Sequence, residues 1–204
     1  MKNNKSESGQ KKITVKDITL IGLMAAMVFV ASQLSIPIPT AIGNTRIHLG
    51  NVLCLLSGFL LGPVGGGLSA GIGSALYDLT NPAYVTSATF TFVFKFLMAW
   101  VCGILYRLWK NKGKTILYSA VSGTAGAITY VILYLGKSFF ESYVFLQMPL
   151  EGVLVSLLQK GTVSLVNGII AVIVSVPLSI AVRPVLNKFN SQTESLGSRR
   201  GIRL

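Results

Sequence analysis

The sequence predicts an all-α polytopic membrane protein, a bundle of six transmembrane helices. Three observations lead there. The 204 residues are 51% hydrophobic and only 12% charged, with a mean hydropathy of +0.65, whereas a soluble domain carries about 25% charged residues. Several apolar runs approach the ~20 residues that cross a bilayer. The basic residues gather in three places: Lys2 to Lys16 ahead of the first apolar run, Arg107 to Lys114 in one connector, and Arg183 to Arg203 at the C-terminal end. Six spans put all three clusters on one side, as the positive-inside rule requires, so both termini are expected to be cytoplasmic in a multi-pass cell-membrane protein.

The elements follow in order. Residues 1–17 form a basic N-terminal segment, residues 18–186 the membrane domain, and residues 187–204 a basic tail. The first helix is expected over 18–35, where the apolar run IGLMAAMVFVASQLS begins after Lys16. Pro37 and Pro39 stop it, and Gly43-Asn44 signals a turn in an outer loop. The second and third helices cover 47–61 and 64–79 across a Gly62-Pro63 turn. Both are short and glycine-rich, which membranes tolerate where a segment lines a cavity. TNPAYVTSAT is a second outer loop, and the fourth helix covers 90–108. The connector WKNKGK leads to a fifth helix over 115–135 and an amphipathic outer segment, KSFFESYVFLQMPLEG. The sixth helix spans 153–182, with a bend expected near Pro177.

The formal net charge of +12 would suit nucleic acid. Its confinement to segment ends fits membrane topology instead, and no nucleic-acid partner is expected. Cys54 and Cys102 lie inside apolar runs without CxxC spacing and read as small buried hydrophobes, not as metal ligands or a disulfide. Catalytic signatures are missing. The single histidine, His48, lies near the opposite end of the bundle from Ser122, so no serine–histidine dyad forms. There is no HExxH and no Walker A sequence.

Polar residues within the apolar runs are the candidates for ligand binding, because a buried polar group in a span is costly. Lys95 sits inside FTFVFKFLMAW, where it meets a ligand, snorkels to the interface or pairs with Asp78. Ser156, Lys160, Val163 and Asn167 are spaced by four, three and four, on one face of the last helix. Lys160 there either lines a cavity or sits in the interface. Asn51 is a candidate interior hydrogen-bonding group, while Arg46 and His48 read as interface residues. Tyr77, Tyr84, Phe90, Tyr130 and Tyr143 fall near the outer half as core or belt aromatics, some able to stack on a flat ring, with Tyr84 carried as a site candidate. Gly22 and Ala26 have small-xxx-small spacing, either for packing within the bundle or for docking another membrane protein.

These residues resemble the substrate-binding S components of energy-coupling factor (ECF) vitamin transporters. GLMAAM is similar to an ALxxAL-type first-helix motif. IPIPTAIGNTRIHLGN resembles the family's proline-bearing first loop and HLGD-like element, with Asn51 where Asp is common. FLLGPVGGGLSAGIGSALYDL resembles its second and third helices, and TFTFVFKFLMAWVCGIL its fourth. The likeness covers residues 18–107, and beyond that only helix number and polarity agree.

The resemblance implies an S-component bundle that captures a vitamin or precursor from outside, in a branch that includes riboflavin, pyridoxine and hydroxymethylpyrimidine carriers. It implies a transmembrane coupling subunit and two cytoplasmic ATPases, which use ATP while this chain binds no cofactor. Asn51, Asp78, Tyr84, Lys95, Lys160 and Asn167 are the expected substrate contacts, and Gly22 and Ala26 the expected docking strip. The competing readings are a stand-alone membrane enzyme and a membrane scaffold. Unpaired catalytic groups disfavour the first, and polar residues converging on the outer half disfavour the second.

Overall fold

A computed structural model describes residues 14–109 and 115–199. The basic clusters at Lys2–Lys12 and Lys110–Lys114, and residues 200–204, lie outside the described residues. The chain forms α1 (Val15–Gln33), β1 (Ser35–Pro39), β2 (Asn44–His48), α2 (Gly50–Thr80), α3 (Ala88–Trp109), α4 (Thr115–Phe140) and α5 (Leu150–Arg199). All five helices are long and apolar enough to cross a membrane.

Helix α1 starts at a capping box. The Thr14 hydroxyl accepts from the Asp17 amide at 3.3 Å, and the Asp17 carboxylate accepts from the Thr14 amide at 3.0 Å. The two side chains satisfy amides that a first turn leaves open.

Two helices were expected where α2 runs, and the hydrogen-bonded element is one. Its backbone breaks at Gly62, with φ 78° and ψ −167°, immediately before Pro63. Only glycine takes that conformation freely, and proline has no amide to continue the helix. The break reverses the chain. A straight helix would hold Cys54 and Ser74 about 30 Å apart at 1.5 Å per residue, yet their Sγ and Oγ atoms are 3.6 Å apart. The arms 50–61 and 63–80 therefore lie side by side. Ser57 Oγ ties them by donating to the Gly66 carbonyl at 2.9 Å.

Glycine makes this closeness possible. A Cβ on Gly66 would stand 2.6 Å from Gly58 Cα, and one on Gly58 would stand 2.6 Å from the Ala99 carbonyl oxygen. On α3, a Cβ on Gly103 would strike Pro63 at the turn. Such backbone approach is how membrane helices gain packing without a hydrophobic drive between them. Around it Val28, Leu55, Phe59, Met98, Ala99, Cys102 and Ala171 form the core. Cys54 and Cys102 are free and buried.

The loop after α1, where the prolines stop the helix, is a β-hairpin. β1 pairs antiparallel with β2, with Pro37 opposite Arg46 and Pro39 opposite Asn44. Proline lacks an amide donor, and a two-stranded ribbon accommodates it on an edge. The turn closes through Thr40 N to Gly43 O at 3.0 Å, with Gly43 at φ 74°.

Two further boundaries differ from the sequence reading. α4 continues to Phe140 and passes into a wide π-type turn over Glu141–Phe145, and α5 continues past 182 to Arg199. Along the chain the helices alternate between two ends. One end carries the hairpin, the Asn81–Ser87 connection and the segment 141–149. The other carries the Gly62-Pro63 turn, where Arg107 Nη2 donates to the Leu61 carbonyl at 3.3 Å.

Candidate functional site

At the hairpin end lies a cavity of about 460 Å³. That is within the roughly 300–1,000 Å³ typical of small-molecule sites. β2, the end of α2, the start of α3, the end of α4 and the first half of α5 all contribute to its wall.

The hairpin roofs the cavity because α5 holds it there. Asn167 Nδ2 donates to the Arg46 carbonyl at 2.7 Å, and Asn167 Oδ1 accepts from the His48 amide at 3.1 Å. One side-chain amide thus satisfies two backbone groups of β2. Nearer the turn, the Ala41 amide donates to Gln159 Oε1 at 2.8 Å and Ser156 Oγ donates to the Ile42 carbonyl at 3.5 Å. The face of α5 read from spacing is real, and much of it serves the hairpin.

Arg46 is the central charged group, although its sequence position suggested the interface. Its Nη2 meets Asp78 Oδ1 at 2.7 Å, with the side chains 13% and 3% exposed. Its guanidinium lies over Tyr77 at 4.2 Å and Tyr84 at 4.3 Å from the ring centroids. Planar guanidinium stacks on aromatic faces while still bonding a carboxylate. Its Nη1 is buried and has no hydrogen-bond partner. Burial pushes the Tyr84 hydroxyl above its usual pKa, against an opposing pull from Arg46, so it stays protonated.

Of the three readings of Lys95, the pairing with Asp78 does not form. Asp78 is engaged by Arg46, which reaches it from β2. Lys95 is 1% exposed and points inward, so it neither snorkels nor lines the cavity. Its Nζ donates to Asn51 Oδ1 and lies 3.5 Å from the Tyr130 ring centroid. Tyr130 itself lines the cavity and stacks with Tyr134 at 5.8 Å. Lys95 and Asn51 therefore form a polar layer beneath the aromatic floor, with Asn51 Nδ2 buried and unpartnered.

Of the six residues expected to touch a substrate, Asp78, Tyr84, Lys160 and Asn167 line the cavity, and Asn51 and Lys95 do not. Sequence reasoning missed Tyr134, Lys137, Ser138 and Glu141, and misjudged Arg46. The i, i+4 runs Tyr130–Tyr134–Ser138 and Lys137–Glu141 were the available signal, obscured by placing the helix end at 135. Lys137 pairs with Glu141 and donates to Ser87 Oγ at 3.1 Å, joining α4 to the start of α3.

His48 is buried and its Nδ1 accepts from the Gly50 amide at 3.1 Å. Burial, then Lys95, then Arg46 hold its pKa well below the usual value, so it is neutral. Ser122 donates to the Tyr118 carbonyl at 2.6 Å within its own helix.

Gly22 and Ala26 face away from the bundle. Both are exposed, and a Cβ on Gly22 would meet nothing within 4 Å. The opposite face of α1 does the internal packing, where a Cβ on Gly73 would stand 2.3 Å from the Ala25 carbonyl oxygen.

Against this geometry the comparison with known families is decisive. The family described as "ECF-type riboflavin transporter, S component" matches residues 12–184, from just ahead of α1 to the body of α5. The chain belongs to this family. It is a family of transport components and not of enzymes, and its members are membrane proteins. Two curated relatives are similar over shorter stretches. An "Uncharacterized protein in gap 3'region" of Pyrococcus woesei is 32% identical over 96 residues, 47% of this chain and 62% of its own length. A "UPF0397 protein" of Lactiplantibacillus plantarum is 30% identical over 132 residues, 65% of this chain and 63% of its own length. The matched region thus spans under two thirds of either relative.

Proposed function

We propose that this S-component-family chain is the substrate-binding subunit of an ECF-type importer. It captures a vitamin or vitamin precursor from outside in the cavity beneath the β1–β2 hairpin. A transmembrane coupling subunit and two cytoplasmic ATPases, which hydrolyse the ATP, then drive delivery inward. The observation that carries this reading is the roofed cavity itself: aromatic walls, a few placed donors, and one lid fastened by side-chain hydrogen bonds. That is the make-up of a small-molecule site. The family description favours riboflavin, with pyridoxine- and hydroxymethylpyrimidine-like rings as the other substrates of similar shape.

In this reading the two arms of α2 each cross the membrane, giving six crossings and two cytoplasmic termini. The side-by-side packing of the arms supports it, since each arm then joins the two ends of the bundle. Gly22 and Ala26 provide the docking strip for the coupling subunit. Asp78, Tyr84, Lys160 and Asn167 contact the ligand or hold its enclosure, while Asn51 and Lys95 support the floor.

Uptake tests the proposal. Cells unable to import riboflavin, supplied with this chain, a coupling subunit and the ATPases, should accumulate labelled riboflavin only when the ATPases are active. Accumulation without the chain, or none with any of the three vitamin classes, would contradict it.

A further inference from the structure

We propose that the wall between α4 and α5 is a subsite for a phosphate monoester carried by the ligand. This rests on the reading of the cavity as the ligand site, and it adds the chemistry of one end of that ligand.

The argument begins with charge. Three cations line the cavity, Arg46, Lys137 and Lys160, against two carboxylates, Asp78 and Glu141. Both carboxylates are taken: Asp78 by Arg46, and Glu141 by Lys137. Lys160 makes no ion pair among the described residues, although the Glu141 and Lys137 charges both act on it. Its Nζ donates to Ser138 Oγ at 2.9 Å. An ammonium has three protons to donate, and this is the one bond it makes here.

Geometry adds the rest. Ser138 on α4, Ser142 one turn further on and Ser164 one turn along α5 from Lys160 all line the cavity and are all buried. Serines at i and i+4 stand on one helix face, so hydroxyls from both helices and one unpaired ammonium form a single wall. A largely buried ammonium with no direct ion pair is costly. An anionic ligand group would offset that cost. A phosphate monoester suits the wall better than a carboxylate, because its three terminal oxygens accept from several hydroxyls as well as the ammonium. Elsewhere on the cavity wall the unpartnered Arg46 Nη1 and the Tyr84 ring would meet the rest of the molecule.

The test compares riboflavin with riboflavin 5′-phosphate by titration of the purified protein at pH 7.5. The phosphate ester should bind about tenfold more tightly, a difference of ~1.4 kcal/mol. Lys160→Met should bring the two ligands level, and Ser138→Ala should narrow the gap. Equal affinities in the wild type, or a gap that survives Lys160→Met, would overturn the subsite. If neither flavin binds, it is the flavin reading that fails, and inorganic phosphate decides the subsite alone. A rise in unfolding temperature with phosphate at constant ionic strength, present in the wild type and absent from Lys160→Met, would support it. No rise in the wild type would overturn it.

Discussion

Asn167 and Arg46 are joined across 121 residues of sequence by a 2.7 Å bond from a side-chain amide to a backbone carbonyl. With its partner bond from the His48 amide, it fastens the hairpin to α5. Asn167→Leu removes both bonds and leaves two backbone groups of β2 unpaired. Each costs about 1–3 kcal/mol if it stays buried. We expect faster amide exchange across 44–48 and ligand affinity lower by roughly tenfold or more. Exchange measured by mass spectrometry checks the first, and titration the second. Unchanged exchange would mean that other contacts hold the hairpin.

Lys95 should behave differently. It is a buried cation with a single amide partner and an aromatic ring, and it makes no ion pair among the described residues. Replacing a buried charge with an apolar side chain of similar volume is often neutral or stabilising. Lys95→Met should therefore keep or raise the thermal unfolding temperature. Its effect on affinity should be smaller than that of Arg46→Met, because Tyr130 stands between Lys95 and the cavity. A larger loss from Lys95→Met would show that the ligand displaces Tyr130 and reaches the layer beneath.

His48 gives the hairpin a pH dependence. Its pKa in the folded protein lies well below the usual ~6.5 of an unfolded chain. Above that value both states are neutral and the packing contribution is complete. As pH falls below it, the unfolded state takes up a proton that the folded state refuses, and stability falls. The unfolding temperature should therefore drop between pH 7.5 and 5. In His48→Gln, measured alongside, that part of the slope should vanish. Identical slopes would assign the acid sensitivity to other groups.

Gly22 and Ala26 offer a test of docking that leaves the cavity alone. Since neither packs inside the bundle, Gly22→Leu with Ala26→Leu should not disturb folding or ligand affinity. Uptake by the assembled transporter should fall by about tenfold or more, because bulk on the strip holds the partner helix away. Retained uptake would place the docking face elsewhere.

Much of this was legible in the sequence. Helix positions followed from apolar runs, and the inward face of α5 followed from residue spacing, whereas the spacing of Gly22 and Ala26 left their face open. The hairpin was hidden because Pro37 and Pro39 read as breakers, and only pairing with β2 shows that they sit on an edge. Arg46 was misjudged for a related reason. Just before the expected helix start at 47 it resembles an interface anchor, and its burial depends on Asp78 and two tyrosines far along the chain. The sequence left ligand contact, snorkelling and pairing with Asp78 open for Lys95, because it gives depth but not rotation. Asp78 and Lys95 lie on adjoining helices, yet β2 fills the space before Asp78.

The account rests on a ligand held beneath the hairpin by Arg46, so the most direct measurement is mass spectrometry of small molecules retained by the purified protein. Wild type and Arg46→Met should be purified side by side without added ligand. The wild type should retain one vitamin-like molecule near equimolar amounts, and Arg46→Met should retain about a tenth or less, given the ~1.4 kcal/mol that a tenfold change represents. Equal retention of the same molecule by both proteins would contradict a site built around Arg46 and place the ligand outside this cavity.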